Sequence, residues 1–322
     1  MGLAVELGPG NGITGGRFAF QVRALKSNGF KIIREQCFVC KKNGERYFYD
    51  RKHDGDTTWH GNIGLTPAID SSALLLPLVG GDGRFAPLFK TLGAMRVYSI
   101  EPSTLREMQD FDTGLALKSD GSNTARILHE LLRGDDAAFN RETINGILET
   151  IVPATTSVVP LQHGKKISMN FTQEWGGGKK LSFDAGSMSD GTLRSLGIIM
   201  AVMQKPSPSV LVIEEPEATI HSGALDAIID LLRWAAQSMQ VVVTTHSPEL
   251  LDNKWIKGNN LRIITWREGA SDLSIPSEMA RKAIKQKLMG AGELLRSNAL
   301  YAEEIPSGKM KTQPAKLFEN IA

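Results

Sequence analysis

Between residues 17 and 50 apolar and polar positions alternate in short runs, RFAFQVRAL, FKIIREQCFVC and ERYFYD, which predict extended strands with one wet face. The interruptions SNG and KKNG place Asn28-Gly29 and Asn43-Gly44 at hairpin turns, so the runs form an antiparallel meander. From about residue 61 to 145 the pattern is mixed and rich in loops. It holds a strand-like MRVYSIEP and helical spacing over residues 124–133 and 141–151. Short strands follow near residues 157–161, 166–174 and 179–183. Beyond residue 190 the rhythm changes. A helical period runs to residue 204 and stops at KPSPS. An apolar strand at 210–213, a helix over 222–237 and strands at 241–245 and 262–266 come next. Strands alternating with helices of this length predict βαβ units and a parallel sheet. The end of the chain reads as helical at first, then polar and loose.

The expected fold class is therefore α/β: a parallel sheet core with helices, joined to an antiparallel β meander and a helical insert. Three segments are expected: the meander over 1–60, a mixed helical insert over 61–156, and a C-terminal lobe over 157–322. Composition narrows the function more than the fold. With 37 basic against 35 acidic residues the net charge is +2, which supplies no global field for nucleic acid. Two cysteines argue against a secreted disulfide scaffold. No apolar run reaches the roughly 18 residues of a membrane-spanning helix, and no basic segment with an apolar h-region opens the chain. A cytoplasmic protein without a membrane partner is the expectation.

Chemistry concentrates where apolar strands end. VLVIEEPEATIH runs four apolar residues into Glu214 and Glu215, at the edge where open α/β sheets bind ligands. Carboxylates there must be solvated, paired or bound to a cation. A hydrolytic reading makes Glu214 the magnesium carboxylate and Glu215 the general base that polarises water. His246 closes a second apolar strand, VVVTTHS, at the same presumed edge. Upstream, SMSDGTLRSLGIIMAV places Ser189 as the N-cap of an amphipathic helix whose free N–H groups and dipole suit an anion, with Gly191 allowing close backbone approach.

These residues resemble the second half of an ABC-type ATPase, in the AAA-family group similar to the RecF, SMC and OLD proteins. MSDGT is similar to the signature sequence (LSGGQ in transporters, LSDGT in this group). VLVIEEPE resembles a Walker B strand, with Glu214 where aspartate is commoner. EATIH corresponds to the D-loop and TTHSPELL to the switch-histidine strand; VYSIEP, DGSN and GELLRSNAL also look like this group. The resemblance implies an ABC-ATPase-like head that uses ATP and Mg2+, in which two heads enclose nucleotide. Ser189, Asp190, Gly191 and Thr192 of one head would then meet the γ-phosphate held on the other. Glu214 would hold the metal, Glu215 would activate water and His246 would sense the γ-phosphate. The implied partner is a second copy or another ATPase head, with nucleic acid or a nuclease as a further partner.

The group also needs a phosphate loop, GxxxxGK[ST], and this sequence contains none. The nearest stretch, GNGITGGR over residues 10–17, has Gly16 and Arg17 where lysine and Ser/Thr are required. It is followed by a strand pattern rather than a helix, so a flexible glycine loop is expected there. The chain is thus expected to begin after its phosphate loop, as a truncated fragment, with a split gene or loss of nucleotide binding in cis as alternatives. Cys37, Cys40, His53 and His60 approach zinc-finger spacing, but the helix a finger needs is missing from the pattern and the two cysteines point to opposite faces of a strand. Two functional alternatives stand beside the ATPase: a non-hydrolysing interaction subunit whose signature face completes a partner's site, and a nuclease-associated ATPase of the OLD type. The segment after His246 is short for an appended Toprim domain and shows no DxD motif.

Overall fold

A computed structural model describes residues 2–10, 12–26, 29–54, 56–64, 69–111, 114–267, 269–303 and 317–319. The chain divides into two compact units, residues 1–94 with 305–322, and residues 95–304.

In the first unit five strands, β1 (Gly2–Leu7), β2 (Ile13–Ala24), β3 (Phe30–Lys41), β4 (Arg46–Asp54) and β5 (Asp56–Gly61), form an antiparallel sheet in sequential order. The turn between β3 and β4 is the expected one. Gly44 has φ +86°, and Asn43 Oδ1 accepts from the Glu45 N–H at 3.1 Å. Asn28 of the other expected turn lies outside the described residues. The glycine loop expected over residues 10–17 is corrected: only its start turns, at Gly12 with φ +84°, and Ile13–Arg17 is the first part of β2. This stretch pairs with β1 on one side and β3 on the other, and a Cβ on Gly16 would lie 3.2 Å from the Phe38 carbonyl. Its glycines serve close strand packing rather than mobility.

One sheet face carries Phe18, Cys37, Val39 and Tyr49 onto helices α1 (Leu76–Val79) and α2 (Ala86–Gly93). Glu35 is fully buried there. It accepts from the Tyr49 hydroxyl at 2.8 Å and from the N–H groups of Leu75 and Leu76, and it pairs with Arg51 at 3.0 Å. Unsatisfied N–H groups at the start of α1 are what let a carboxylate sit in this core.

The second unit is built on a three-stranded parallel sheet. Its strands are β6 (Met95–Tyr98), which precedes α3 (Pro102–Arg106), β7 (Gln109–Asp110), α4 (Thr124–Leu131), α5 (Ala137–Ile151), β8 (Thr155–His163), β9 (Lys166–Trp175), β10 (Lys179–Asp184) and α6 (Asp190–Met203); then β11 (Val210–Glu214); then, after α7 (Leu225–Ala235), β12 (Gln240–Thr244). The sheet order is β12-β11-β6, with Val210–Glu214 in unbroken register against Gln240–Thr244. Strands β7 to β10 form a separate antiparallel sheet around β9. Leu211, Ile213 and Tyr98 enter the core formed with α6 and α7. Within it Gln204 is satisfied by the Tyr98 hydroxyl at 2.6 Å, the Ala201 carbonyl and the Leu117 N–H.

Among the described residues the other face of this sheet is only partly covered. Val97, Val212 and Val242 stand in one register row, and Val97 and Val242 are 52% and 40% exposed. Parallel sheets are ordinarily covered on both faces. Among the described residues β12 also has a strand neighbour on one side only.

The remaining elements are α8 (Pro248–Leu251), β13 (Ile263–Arg267), β14 (Ala270–Ser274), α9 (Glu278–Lys285) and α10 (Ala291–Arg296). The strand expected at 262–266 exists as β13 but does not join the parallel sheet. It spends its hydrogen bonds on β14 in a two-stranded hairpin turned at Gly269, φ +82°. The parallel sheet takes β6, from the MRVYSIEP stretch, as its third strand instead. No helix among the described residues is long and apolar enough to cross a membrane.

Candidate nucleotide site

Strands β11 and β12 end side by side, and both turn sharply. Glu214 closes β11 and is exposed; strand alternation sets it on the partly covered face with Val210 and Val212. Glu215 has φ +42°, a left-handed backbone that costs a β-carbon residue on the order of 1 kcal/mol. Three contacts hold it: its N–H donates to the Thr244 carbonyl at 3.0 Å and to Thr244 Oγ1 at 3.4 Å, and its carbonyl accepts from Arg194 of α6 at 3.2 Å. The turn brings Glu215 Oε1 to 3.8 Å from His246 Nε2, both side chains standing in solvent at 52% and 93% exposure. At that separation the two share charge if the imidazole is protonated, and leave room for a third group to be bound by both.

Behind the pair lies Glu217, which the sequence reading passed over. One carboxylate oxygen accepts from the Thr245 hydroxyl, and the same hydroxyl accepts from the Ser247 N–H at 2.9 Å. The Ser247 hydroxyl in turn caps α8 by accepting from the Leu250 N–H at 3.1 Å. Glu217 thus ties the loop after β11 to the residues flanking His246. Its second oxygen, Oε2, is buried and has no partner among the described residues.

The third component is the start of α6. Ser189 is the N-cap, with extended backbone and Oγ accepting from the Thr192 N–H at 3.1 Å. Thr192 is buried and shares its own hydroxyl with Ser189 at 2.8 Å. Asp190 pairs with Arg106 at 2.5 Å, and that guanidinium also donates to the Gly186 carbonyl. Gly191 packs on the loop that follows Glu215: a Cβ there would lie 2.6 Å from the Thr219 carbonyl oxygen. Thr219 is itself left-handed, φ +66°. Arg194 and Gly191 therefore join the helix terminus to the Glu215 turn, while the expected residues form two close side-chain pairs among those described, Ser189 with Thr192 within the helix terminus and Glu215 with His246 across the two strand ends.

The donor chemistry fits a hard cation bound with phosphate. Glu214, Glu215 and the orphaned Glu217 oxygen are acceptor-only oxygens, the class that magnesium prefers. Among the described residues no three His, Cys, Asp or Glu side chains gather closely enough to cage a metal on their own. Magnesium here would complete its shell with water and phosphate oxygens, as it ordinarily does.

Residues 102–252, a little under half of the chain, match the profile of the family described as "AAA domain, putative AbiEii toxin, Type IV TA system". No curated protein matches the chain. Among solved structures the chain is similar to three SMC heads. One is an SMC head bound to the C-winged helix domain of ScpA: 9% identity, 85% of this chain and 76% of that chain covered, TM-score 0.41. Another is the SMC head domain from Thermotoga maritima: 11% identity, 81% and 74% covered, TM-score 0.34. The third is the Smc head domain with an extended coiled coil bound to the C-terminal domain of ScpA, from Pyrococcus furiosus: 11% identity, 83% of each chain covered, TM-score 0.40. The matched segment carries the α6 terminus, Glu214, Glu215 and His246, the same residues that carry the resemblance of its motifs to the AAA/ABC-type ATPases.

Proposed function

We propose that the chain is an ATP-hydrolysing head that acts in pairs, each site being completed across two heads. The observation that carries this is the 3.8 Å approach of Glu215 and His246 at the ends of two parallel strands in register. ATP is the substrate that would supply the phosphoanhydride, and magnesium, when bound, would neutralise charge on its oxygens. Glu215 would accept a proton of the water that attacks the terminal phosphorus as the bond to the bridging oxygen breaks and ADP leaves, and His246 would donate to an oxygen of that phosphate. Glu214 would hold the metal, and Glu217 fixes the flank of His246 through Thr245. Ser189 and Gly191 present the α6 terminus to nucleotide on the opposite head, with Asp190 and Thr192 shaping that turn through Arg106 and the Ser189 hydroxyl.

The sequence contains no phosphate loop. The side of β12 that has no strand neighbour among the described residues and the partly exposed Val97–Val212–Val242 row support a seat for the strand that carries one, supplied by a partner chain or by a segment outside these residues. The same openness favours a second reading, in which this chain lends its signature face to a partner that owns the loop and does the chemistry.

Mixing two variants separates them. With a phosphate-loop segment supplied, Glu215→Gln should abolish turnover while preserving ATP-dependent pairing, because the amide keeps the shape and cannot take a proton. Ser189→Arg should block pairing by filling the α6 terminus. A mixed pair still assembles one site with an intact Ser189 and an intact Glu215, so activity should return in part. Zero activity on mixing, with both variants folded and able to associate, would refute the shared site and leave the non-hydrolysing subunit.

A further inference from the structure

A cavity of about 900 Å³ opens beyond α8, between the loop after Leu251 and the helices α9 and α10. It has the size of a ligand site. Its floor is aliphatic, made by Leu251, Ile256, Ile284 and Met289. Its rim is cationic: Lys254, Lys257, Lys285 and Lys287 line it, and among the described residues none of the four is in an ion pair. The other charges of the wall are already committed. Arg281 pairs with Glu303, Lys282 with Glu278, and Asp252 accepts from the Gly292 and Glu293 N–H groups and from Arg296. In a chain of net charge +2 this is a concentrated patch.

The end of α9 gives a second, independent observation. Lys287 has φ +57° and donates to the Ile284 carbonyl, while the Leu288 N–H donates to the Ala283 carbonyl. This is a Schellman motif whose left-handed position ordinarily takes glycine. Here it takes a strained lysine at the cavity rim. The leucine after it, which in such motifs folds back on the helix, is 71% exposed, and Met279 at the other end of α9 is 82% exposed. A strained lysine on the cavity wall, with bare apolar side chains at both ends of the helix that forms it, marks a surface shaped for something other than stability.

From this we infer that the cavity is the docking site for an acidic, aliphatic peptide segment of a partner protein, whose Leu, Ile or Val side chains fill the floor while its Asp and Glu carboxylates meet the four lysines. Charge complementarity selects the carboxylates, and the aliphatic floor selects the side chains between them. A nucleic-acid strand fits less well, because no aromatic side chain lines the cavity to stack a base and the one arginine of the wall is paired. The segment would sit one short helix, α8, away from His246.

The test is a selection from a displayed random dodecapeptide library on the full chain without nucleotide, so that its outcome is independent of the ATPase reading. Recovered peptides should be acidic and aliphatic. The tightest should lose about tenfold or more in affinity on Lys254→Glu with Lys285→Glu, and should weaken with added salt. Lys287→Gly gives a readout that a structural role would not: relief of the left-handed strain should raise Tm while affinity falls. Recovery of no peptide sensitive to these lysines would overturn the assignment. So would a twelve-residue oligothymidylate that displaces the peptides and depends on the same lysines.

Discussion

The contact between Gly191 and the loop after Glu215 yields a sign test. Exchanging glycine for alanine inside a helix ordinarily stabilises by about 0.5–1 kcal/mol, since alanine loses less backbone freedom on folding. Gly146 in α5 is the plain case: it is exposed, and a Cβ there meets nothing within 4 Å. Gly146→Ala should stabilise by roughly that amount. Gly191→Ala should do the opposite. Its Cβ would lie 2.6 Å from the Thr219 carbonyl oxygen and 3.5 Å from Ile220 Cα, both backbone atoms that cannot rotate away. The loop would have to retreat on the order of half an ångström, against the Ala218-to-Glu215 and Ile220-to-Glu217 hydrogen bonds of 3.0 Å that pin it. Overpacking of this kind costs about 1–3 kcal/mol, and the propensity gain is only partial in the first helical turn, so a net loss of roughly 1–2 kcal/mol is expected. In thermal unfolding followed by far-ultraviolet circular dichroism, Tm should fall by about 2–8 °C, while Gly146→Ala raises it. Gly191→Ala at or above wild-type stability would refute the argument. It would mean that the loop yields freely, and that the glycine is there only for what approaches α6 from outside.

Two further outcomes follow from buried groups. Glu35→Gln should cost about 3–5 kcal/mol in urea titration, because it leaves the buried Arg51 without its carboxylate, and adding Arg51→Met should recover part of that loss. A loss below 1 kcal/mol would contradict it. Burial, with the Glu35 charge beside it, holds the Cys37 thiol well above its ordinary 9.0, and burial likewise raises the Tyr49 hydroxyl well above 10.0. The unfolded chain therefore releases these protons first. Stability should be full below about pH 9 and fall as pH rises, by at most about 1.4 kcal/mol per pH unit for each group. Cys37→Ala should shallow that slope in denaturant titrations, and an unchanged slope would remove Cys37 from the account.

Local signals carried the sequence reading and long-range ones limited it. Alternation between β-branched or aromatic and polar residues predicts β2, β3 and β4, and the four apolar residues before Glu214 predict a buried parallel strand, because both patterns are periodicities of a single segment. What pairs with a segment is another matter. β13 has the composition of a sheet strand, yet its hydrogen bonds go to β14, and nothing in its own residues decides between those neighbours. Gly15 and Gly16 read as a loop because glycine is permissive; only the flanking β1 and β3 make them strand. The approach of Glu215 to His246 is legible in the sequence because each follows an apolar strand. Glu217 and Arg194 are not, since each acts across the loop on a backbone or hydroxyl group far away in sequence. The EPE spacing after the strand was the one signal that could have drawn attention to Glu217. Glu35 shows the same limit, a charged residue in an alternating strand that reads as solvent-facing and lies in the core.

That β12 has, among the described residues, a strand on one side only bears on how the chain behaves before any partner arrives. Gln240–Thr244 is an uncharged, β-branched strand without proline or lysine, its N–H and C=O groups directed outward on one edge and Val242 exposed beside them. Natural sheets blunt such edges with charges, bulges or cover, since a bare one templates strand addition from any neighbouring molecule. Held alone at high concentration, the chain should tend to self-associate through this edge. Whatever completes the sheet would then act as a solubilising cap as well as a functional part, and a lysine at Val242 would be expected to keep the solitary chain in solution at the expense of that completion.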